Sequence, residues 1–459
     1  MIKIVDLSLK YEDKIILENG NIEFERGKIH LITGNSGSGK SSLIKLINGL
    51  IPEVVSGTVT GDICYNGKSI LNSSITDRSR YISTVFQNPK TQFFTTNTLD
   101  ELAFAMENRN TPPEEIIKTI DHYTNLLHTE DLMDTEISKL SGGQKQMLAV
   151  TAVVCLNQEI YLFDEPSSSL DIESIERIRE VCLFLKSQGK IVIIAEHRLY
   201  YLKEIADQII ILNNGKCSVH KSEELTDDFV TKNNLRTLTK LGKKDLQSLN
   251  YRRKNLLEHD INEGDSLKCI DYCCRYNNCQ IFGMSITFPK GIHFIIGENG
   301  IGKTSFYKNF CGVLKCRNQK TIYKGDKIKK EGKSISLVMQ DVNYQLFTET
   351  VWDEISIVSD DDELKEKILR TVGLLDKKDK HPQTLSGGEK QRLSFALCIA
   401  STKDIILMDE PTSGLCKKSM GRIISLLKEM ERAGKTIIII THDYEFIMEC
   451  GGSVIEFYK

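Results

Sequence analysis

The sequence predicts an α/β protein in which one nucleotide-binding domain, built on a mainly parallel sheet, occurs twice in tandem. Two observations predict it. A glycine-rich loop of the form G-x-x-x-x-G-K-[ST] appears at Gly34-Asn35-Ser36-Gly37-Ser38-Gly39-Lys40-Ser41 and again at Gly297-Glu298-Asn299-Gly300-Ile301-Gly302-Lys303-Thr304. The same train of motifs then follows each loop. From Ser141 to Ser386, from Glu165 to Glu410 and from His197 to His442 the offset is the same 245 residues. Chance does not hold register over three motifs, so the chain is an internal duplication with one domain per half.

Each element has its own reason. Both loops follow apolar runs, 28–33 and 292–296, that read as buried strands. The glycines let backbone N–H groups wrap phosphates, the lysine neutralises them, and the hydroxyl ligates Mg²⁺. The nucleotide-binding set extends one residue further, to Ser42 and Ser305. Short apolar runs at 191–195, 209–212 and 436–441 read as strands buried on both faces of a parallel sheet. Asp164 and Asp409 end apolar strands at the carboxyl edge, where ligands bind in open α/β folds. A carboxylate there holds Mg²⁺ or its water. Glu165 and Glu410 come next and are the candidate general bases for an attacking water. Ser141-Gly142-Gly143 and Ser386-Gly387-Gly388 each precede a helical pattern, so they present backbone N–H groups and a positive dipole end.

At 459 residues the chain is long enough for two domains with substantial cores. A net charge of −3 argues against general nucleic-acid binding. No apolar run approaches the roughly 20 residues a membrane helix needs, so any membrane role is expected to come through a partner. The N-terminus reads as a strand rather than a signal peptide, which makes the cytosol the expected compartment. Thirteen cysteines are then expected as thiols. The cluster Cys269, Cys273, Cys274 and Cys279 lacks the paired C-x-x-C arms of a zinc site and reads as incidental. The first domain is expected over 1–224, a charged, solvated linker over 225–266, and the second domain over 267–459. Lys303 and Glu410 are 107 residues apart, against 125 for Lys40 and Glu165. The second copy is therefore trimmed ahead of its signature, in antiparallel and helical regions.

With the signature Leu140-Ser-Gly-Gly and its repeat Leu385-Ser-Gly-Gly, the chain resembles two ABC-type ATPase domains fused in tandem. The resemblance implies an antiparallel subdomain and a helical signature subdomain beside each parallel core, with ATP and Mg²⁺ as ligands. It implies that His197 and His442 contact the γ-phosphate and help position the water. Gln87 and Gln340 would sense the γ-phosphate and Mg²⁺ and signal to a transmembrane partner. Metal ligands would be Ser41, Gln87 and Asp164 in one half and Thr304, Gln340 and Asp409 in the other. Tyr11 and Tyr276 stand as the aromatics for adenine stacking. The sites would be shared across an intramolecular domain pair. Lys40, Asp164 and Glu165 would face Ser386, Gly387 and Gly388, and Lys303, Asp409 and Glu410 would face Ser141, Gly142 and Gly143. Cys416 stands where the family keeps an aspartate, present here as Asp171, so the Lys40 site would lack a cross-dimer carboxylate.

Phe86-Gln87-Asn-Pro-Lys-Thr-Gln92-Phe-Phe94 with Thr98-Leu-Asp-Glu-Leu-Ala-Phe104 is similar to the ATPases of energy-coupling-factor importers, as is Glu196-His197-Arg198. The second half has the looser Gln345-Leu-Phe347 and Thr350-Val-Trp-Asp-Glu-Ile355. This implies import of a micronutrient, a vitamin or a cobalt or nickel ion, at the cytoplasmic face of the membrane. The partners would be a transmembrane coupling protein and a substrate-binding membrane protein, with no nucleic acid. Asp100, Glu101, Asp353 and Glu354 are expected to offer negative charge to arginines of the partner. The alternative is a soluble twin-ATPase translation factor acting on the ribosome. That class has a longer charged helical linker and an Asn-His after its catalytic Glu-Pro-Thr, whereas this chain has Glu165-Pro-Ser-Ser-Ser-Leu-Asp171 and Glu410-Pro-Thr-Ser-Gly-Leu-Cys416.

Overall fold

The computed structural model describes residues 1–11, 14–168, 170–259, 266–276, 279–314, 318–328, 335–339 and 342–459, without the side chains of 275–276, 279–281 and 344. The chain divides into two compact units, Met1–Lys240 and Leu241–Lys459.

The first unit is built on a six-stranded sheet in the order Lys216–Lys221, Gln208–Asn213, Lys28–Gly34, Ile191–Ala195, Ile160–Asp164, Ile82–Val85. All pairs are parallel except the first, an antiparallel edge hairpin. Alternate residues of one strand enter different cores. Tyr161 and Phe163 join one apolar cluster, and Ile160 and Leu162 join another. A strand that buries both faces must be apolar throughout, which is why these strands read as continuous runs. A four-stranded antiparallel sheet, Lys14–Phe24, Ile2–Tyr11, Thr58–Tyr65, Lys68–Ser69, stands beside it. The helices Thr98–Glu107, Pro113–Leu127 and Gly142–Cys155 pack their apolar faces into the first cluster.

The second unit repeats the plan. Its six-stranded sheet runs Asn250–Asn255, Ser453–Tyr458, Gly291–Ile296, Thr436–Ile440, Ile405–Asp409, Ile335–Val338, and every pair is parallel. Its helices Val351–Ser356 and Asp362–Val372 have 6 and 11 residues, against 10 and 15 for Thr98–Glu107 and Pro113–Leu127. The antiparallel strand Lys320–Tyr323 has 4 residues against 8 for Thr58–Tyr65, so the antiparallel and the helical regions are both shortened, as expected.

The segment 225–266 departs from the solvated linker expected of it. Leu225, Val230, Leu235 and Leu238 are buried in the core of the first unit. Asn250–Asn255 is the edge strand of the second unit, where Tyr251 donates its hydroxyl proton to Glu456 at 2.5 Å. The boundary falls at Lys240, and the second unit begins ahead of Leu267. The charge run misled because its apolar residues are sparse, yet Leu225, Val230, Leu235, Leu238, Leu246 and Leu256 are buried. In the cysteine cluster, Cys269 and Cys274 are free thiols, while Cys273 is disulfide-bonded, against the expectation of thiols throughout. The Cys279 side chain lies outside the described residues. No group of three or more metal-ligating side chains occurs among the described residues.

Candidate functional site

In the first unit the phosphate loop leaves the strand Lys28–Gly34 and turns into the helix Lys40–Ile47. Gly34 has φ +141, and a Cβ there would lie 2.1 Å from the Leu212 carbonyl oxygen. Gly39 has φ +103 and would meet Ile16 Cγ2 at 2.6 Å. Only glycine serves at either position. Lys40 is buried, and its Nζ donates to the carbonyl oxygens of Gly34 at 3.4 Å and Asn35 at 3.3 Å. The same ammonium donates to His197 Nε2 at 3.0 Å. Burial, then the charges of Lys40 and Arg236, holds the His197 pKa well below its usual value, so the ring is neutral and can accept that bond.

Ser41 Oγ donates to Asp164 Oδ1 at 2.9 Å. Burial raises the Asp164 pKa, and the Ser41 bond and the Lys40 and Lys45 charges oppose it. Glu165 has φ +50, in the left-handed region where non-glycine residues are uncommon, and its N–H donates to the Ala195 carbonyl at 2.8 Å. That turn swings the carboxylate away from the strand axis. Its Oε2 accepts from Gln87 Nε2 at 2.8 Å, and its Oε1 lies 3.6 Å from His197 Nε2. Tyr11 is half-buried against the core, with the Ser42 hydroxyl beside its phenol.

The second unit copies this layout. Lys303 Nζ donates to the carbonyl oxygens of Gly297 at 2.8 Å and Glu298 at 2.9 Å. Burial pushes the Asp409 pKa up to about 6, against the opposing charges of Lys303 and Lys308. Glu410 has φ +49, donates its N–H to Ile440 O at 2.8 Å, and lies 4.0 Å from His442 Nε2 through Oε1. Thr304 and Ser305 sit in the first turn of the helix Lys303–Phe310. Gln340 lies outside the described residues, as does the Tyr276 side chain.

Both signature serines stand at helix N-caps and are exposed. Ser141 N–H donates to Gln144 Oε1 at 2.9 Å and Ser386 N–H to Glu389 Oε2 at 3.0 Å, reciprocal caps that fix the first turns. Asp171 caps its own helix, accepting from the Ser174 N–H at 2.9 Å. At the matching N-cap Cys416 donates its thiol to Ser419 Oγ at 3.4 Å.

Several residues at the site have no counterpart in the sequence-predicted set. The Glu196 carboxylate is buried and accepts from four donors: His197 N, Arg198 N, Ser167 N and the Tyr201 hydroxyl. Arg198 Nη1 donates to the carbonyl oxygens of Ser167 and Leu170. Gln92 braces the loop bearing Gln87, accepting from Phe86 N at 3.2 Å and donating to Thr84 O at 3.3 Å. Gln345 repeats this with Met339 N at 2.8 Å and Leu337 O at 3.0 Å. The signal for that pair was legible: each stands five residues after Gln87 or Gln340. Glu101 and Glu354 require a correction. They are buried, and each accepts two backbone N–H bonds and a threonine hydroxyl, from Phe94, Thr95, Phe347 and Thr348. They hold the loop together and are not offered to a partner. What the loops expose is Phe94, stacked on Phe104 at 5.1 Å, and Phe347, at 76% and 78% exposure.

The ABC transporter family profile matches residues 17–168 and 282–413. Two provisionally named ABC transporter ATP-binding proteins of Treponema denticola are similar along their length. One is 36% identical over 93% of this chain and 88% of its own, and the other is 34% identical over 99% and 95%. Among solved structures, a chain from ribosome-bound archaeal Pelota and ABCE1 superposes with a TM-score of 0.68. It covers 99% of this chain and 76% of its own at 22% identity, a likeness of fold alone.

Proposed function

The chain belongs to the ABC transporter ATP-binding family, and from this premise we propose that it is the ATP-hydrolysing subunit of a membrane importer of the energy-coupling-factor type. Each half binds ATP with its phosphate loop, Lys40 and Lys303 taking the charge of the β- and γ-phosphates. Tyr11 provides a face for adenine beside the loop. The oxygen donors Ser41, Asp164 and Gln87 fit a hard divalent cation, and the Ser41–Asp164 hydrogen bond brings two of them together. Thr304 and Asp409 make the second such set. Mg²⁺ held there would neutralise charge on the transferred phosphoryl group.

Glu165 and Glu410 act as general bases. In each half one carboxylate oxygen is held by a side-chain donor while the other faces the histidine. Neutral His197 has a nitrogen directed at the phosphate-binding Lys40, so it reads the γ-phosphate through that lysine and orients the water. The exposed N-caps at Ser141 and Ser386 are free to meet the γ-phosphate held by the opposite half. ATP then closes the two domains head to tail, and hydrolysis releases them.

The observation that carries the importer reading is the loop between Gln87 and Glu101. It joins a side chain bonded to the candidate base with the exposed Phe94, which stacks on the half-buried Phe104, and its aromatic tip recurs in the second half as Phe347. Exposed aromatics on a braced loop suit a helix of a membrane partner. The test is co-purification of the native chain with the membrane fraction, against the variant Phe94→Asp/Phe347→Asp. The reading expects membrane association that the variant loses while it keeps the ATPase activity of the isolated chain. Ribosome co-sedimentation, or membrane association untouched by the variant, would overturn it.

A further inference from the structure

Thr441 and Glu196 occupy one register position in the two halves, the residue before the histidine. Their backbone N–H groups donate to matching carbonyl oxygens, Ile295 at 3.3 Å and Ile32 at 2.9 Å. Their side chains do different work. Glu196 spends its carboxylate on four donors of the surrounding turns. Thr441 turns its hydroxyl to the general base: Oγ1 donates to Glu410 Oε2 at 3.0 Å. The direction of that bond is fixed, because Oγ1 also accepts from Asp443 N at 3.1 Å, which leaves the hydroxyl proton for the carboxylate. Thr441 is fully buried and Glu410 is 8% exposed, so water competes poorly for the bond.

We propose that Thr441 is a positioning residue of the second ATP site, holding Glu410 by one carboxylate oxygen so that the other faces His442 and the attacking water. The first site reaches the same arrangement with Gln87, whose amide holds Glu165 Oε2 while Oε1 faces His197 at 3.6 Å. A core strand end therefore contributes to holding the second base, whereas in the first site the partner-facing loop does so. The carboxylate that ties the turn after the base also moves. Glu196 meets Ser167 N in the first half, and Asp443 accepts from the Thr412 hydroxyl at 2.8 Å in the second. Freed from that task, position 441 can carry a hydroxyl.

This rests on reading Glu410 as the general base, and the experiment separates the two. Steady-state ATP hydrolysis is measured for the full chain and for Thr441→Val, Thr441→Ala, Thr441→Ser, Glu410→Gln, and Thr441→Val combined with Glu410→Gln. The expected result is a clear fall in kcat for Val and Ala, up to about twofold, the share of one site in two, with KM for ATP unchanged. Ser restores kcat, and Val adds nothing once Glu410→Gln is present. Wild-type kcat in both Thr441→Val and Thr441→Ala overturns the proposal. So does a Val effect that persists in full beside Glu410→Gln, since that would mark a purely structural role. Full turnover of Glu410→Gln itself would instead sink the general-base reading.

Discussion

His293 shows how one buried side chain sets a response to acid. It is 2% exposed on the strand that feeds the second phosphate loop, and its Nε2–H donates to the Pro289 carbonyl at 2.6 Å. Its Nδ1 has no partner, so a second proton there would be buried unpaired. Burial accordingly pushes its pKa down to about 4. In the unfolded chain the ring takes its proton near pH 6.5. The unfolded state thus binds the extra proton first, and the stability this histidine confers is fully present above about pH 6.5 and lost as pH falls toward 4. Urea unfolding at pH 7.5 and pH 5 is expected to show a drop in midpoint that His293→Asn reduces. His30 occupies the matching place in the first unit, and burial lowers its pKa too. At this scale the sequence was informative wherever a motif fixed a side chain's chemistry. Lys40, the adjacent Asp164 and Glu165, and His197 are brought together from three separate segments. It was silent on Glu196 and Thr441, whose roles depend on which way one side chain turns at a strand end. The positive φ of Glu165 and Glu410 was hidden too, because it follows from an N–H bonding across to the next strand.

The loops that follow Gln87 and Gln340 illustrate what an element needs to hold its shape. Glu101 and Glu354 each sit in the first turn of a helix and reach back to the loop with one oxygen, satisfying three donors. Acidic residues in a first turn are common, and composition alone cannot separate a solvated one from a brace. Burial decides it. Glu101→Leu is expected to cost roughly 2–3 kcal/mol, since buried donors lose a charged acceptor, whereas Glu101→Gln keeps an acceptor oxygen and costs below about 1 kcal/mol. Thermal unfolding of the two variants checks this, and equal losses would mean that the contact is packing alone. The helix starting after Asp171 carries a similar lesson. An aspartate that resemblance assigns to the opposite phosphate loop serves locally as an N-cap, so any Asp171→Ala effect on turnover must be corrected for about 1 kcal/mol of lost helix stability.

Across the whole molecule the duplication was legible, because the 245-residue register holds from the signature serines to the histidines, although the shortening of the second copy sets the phosphate-loop residues Lys40 and Lys303 263 residues apart. The boundary between copies was not. A charge-rich stretch with scattered leucines reads as linker, yet Leu225, Val230, Leu235 and Leu238 enter the first core and Asn250–Asn255 completes the second sheet. Arg236, 3% exposed on the same stretch, adds its charge to the surroundings of His197. A solvated linker tolerates substitution within about 0.5 kcal/mol, whereas a core position does not. Leu238→Asp is therefore expected to lower the stability of the first unit by roughly 3 kcal/mol or more, read from denaturant unfolding. From the duplicated fold, with its two loops, two carboxylate pairs and two histidines, we propose centrally that both halves hydrolyse ATP through Glu165 and Glu410. The most direct measurement is ATP binding and steady-state hydrolysis by the Glu165→Gln/Glu410→Gln double variant. Retained binding with turnover reduced by roughly 10²–10⁴ is the expected result. Full steady-state turnover in that variant would contradict it.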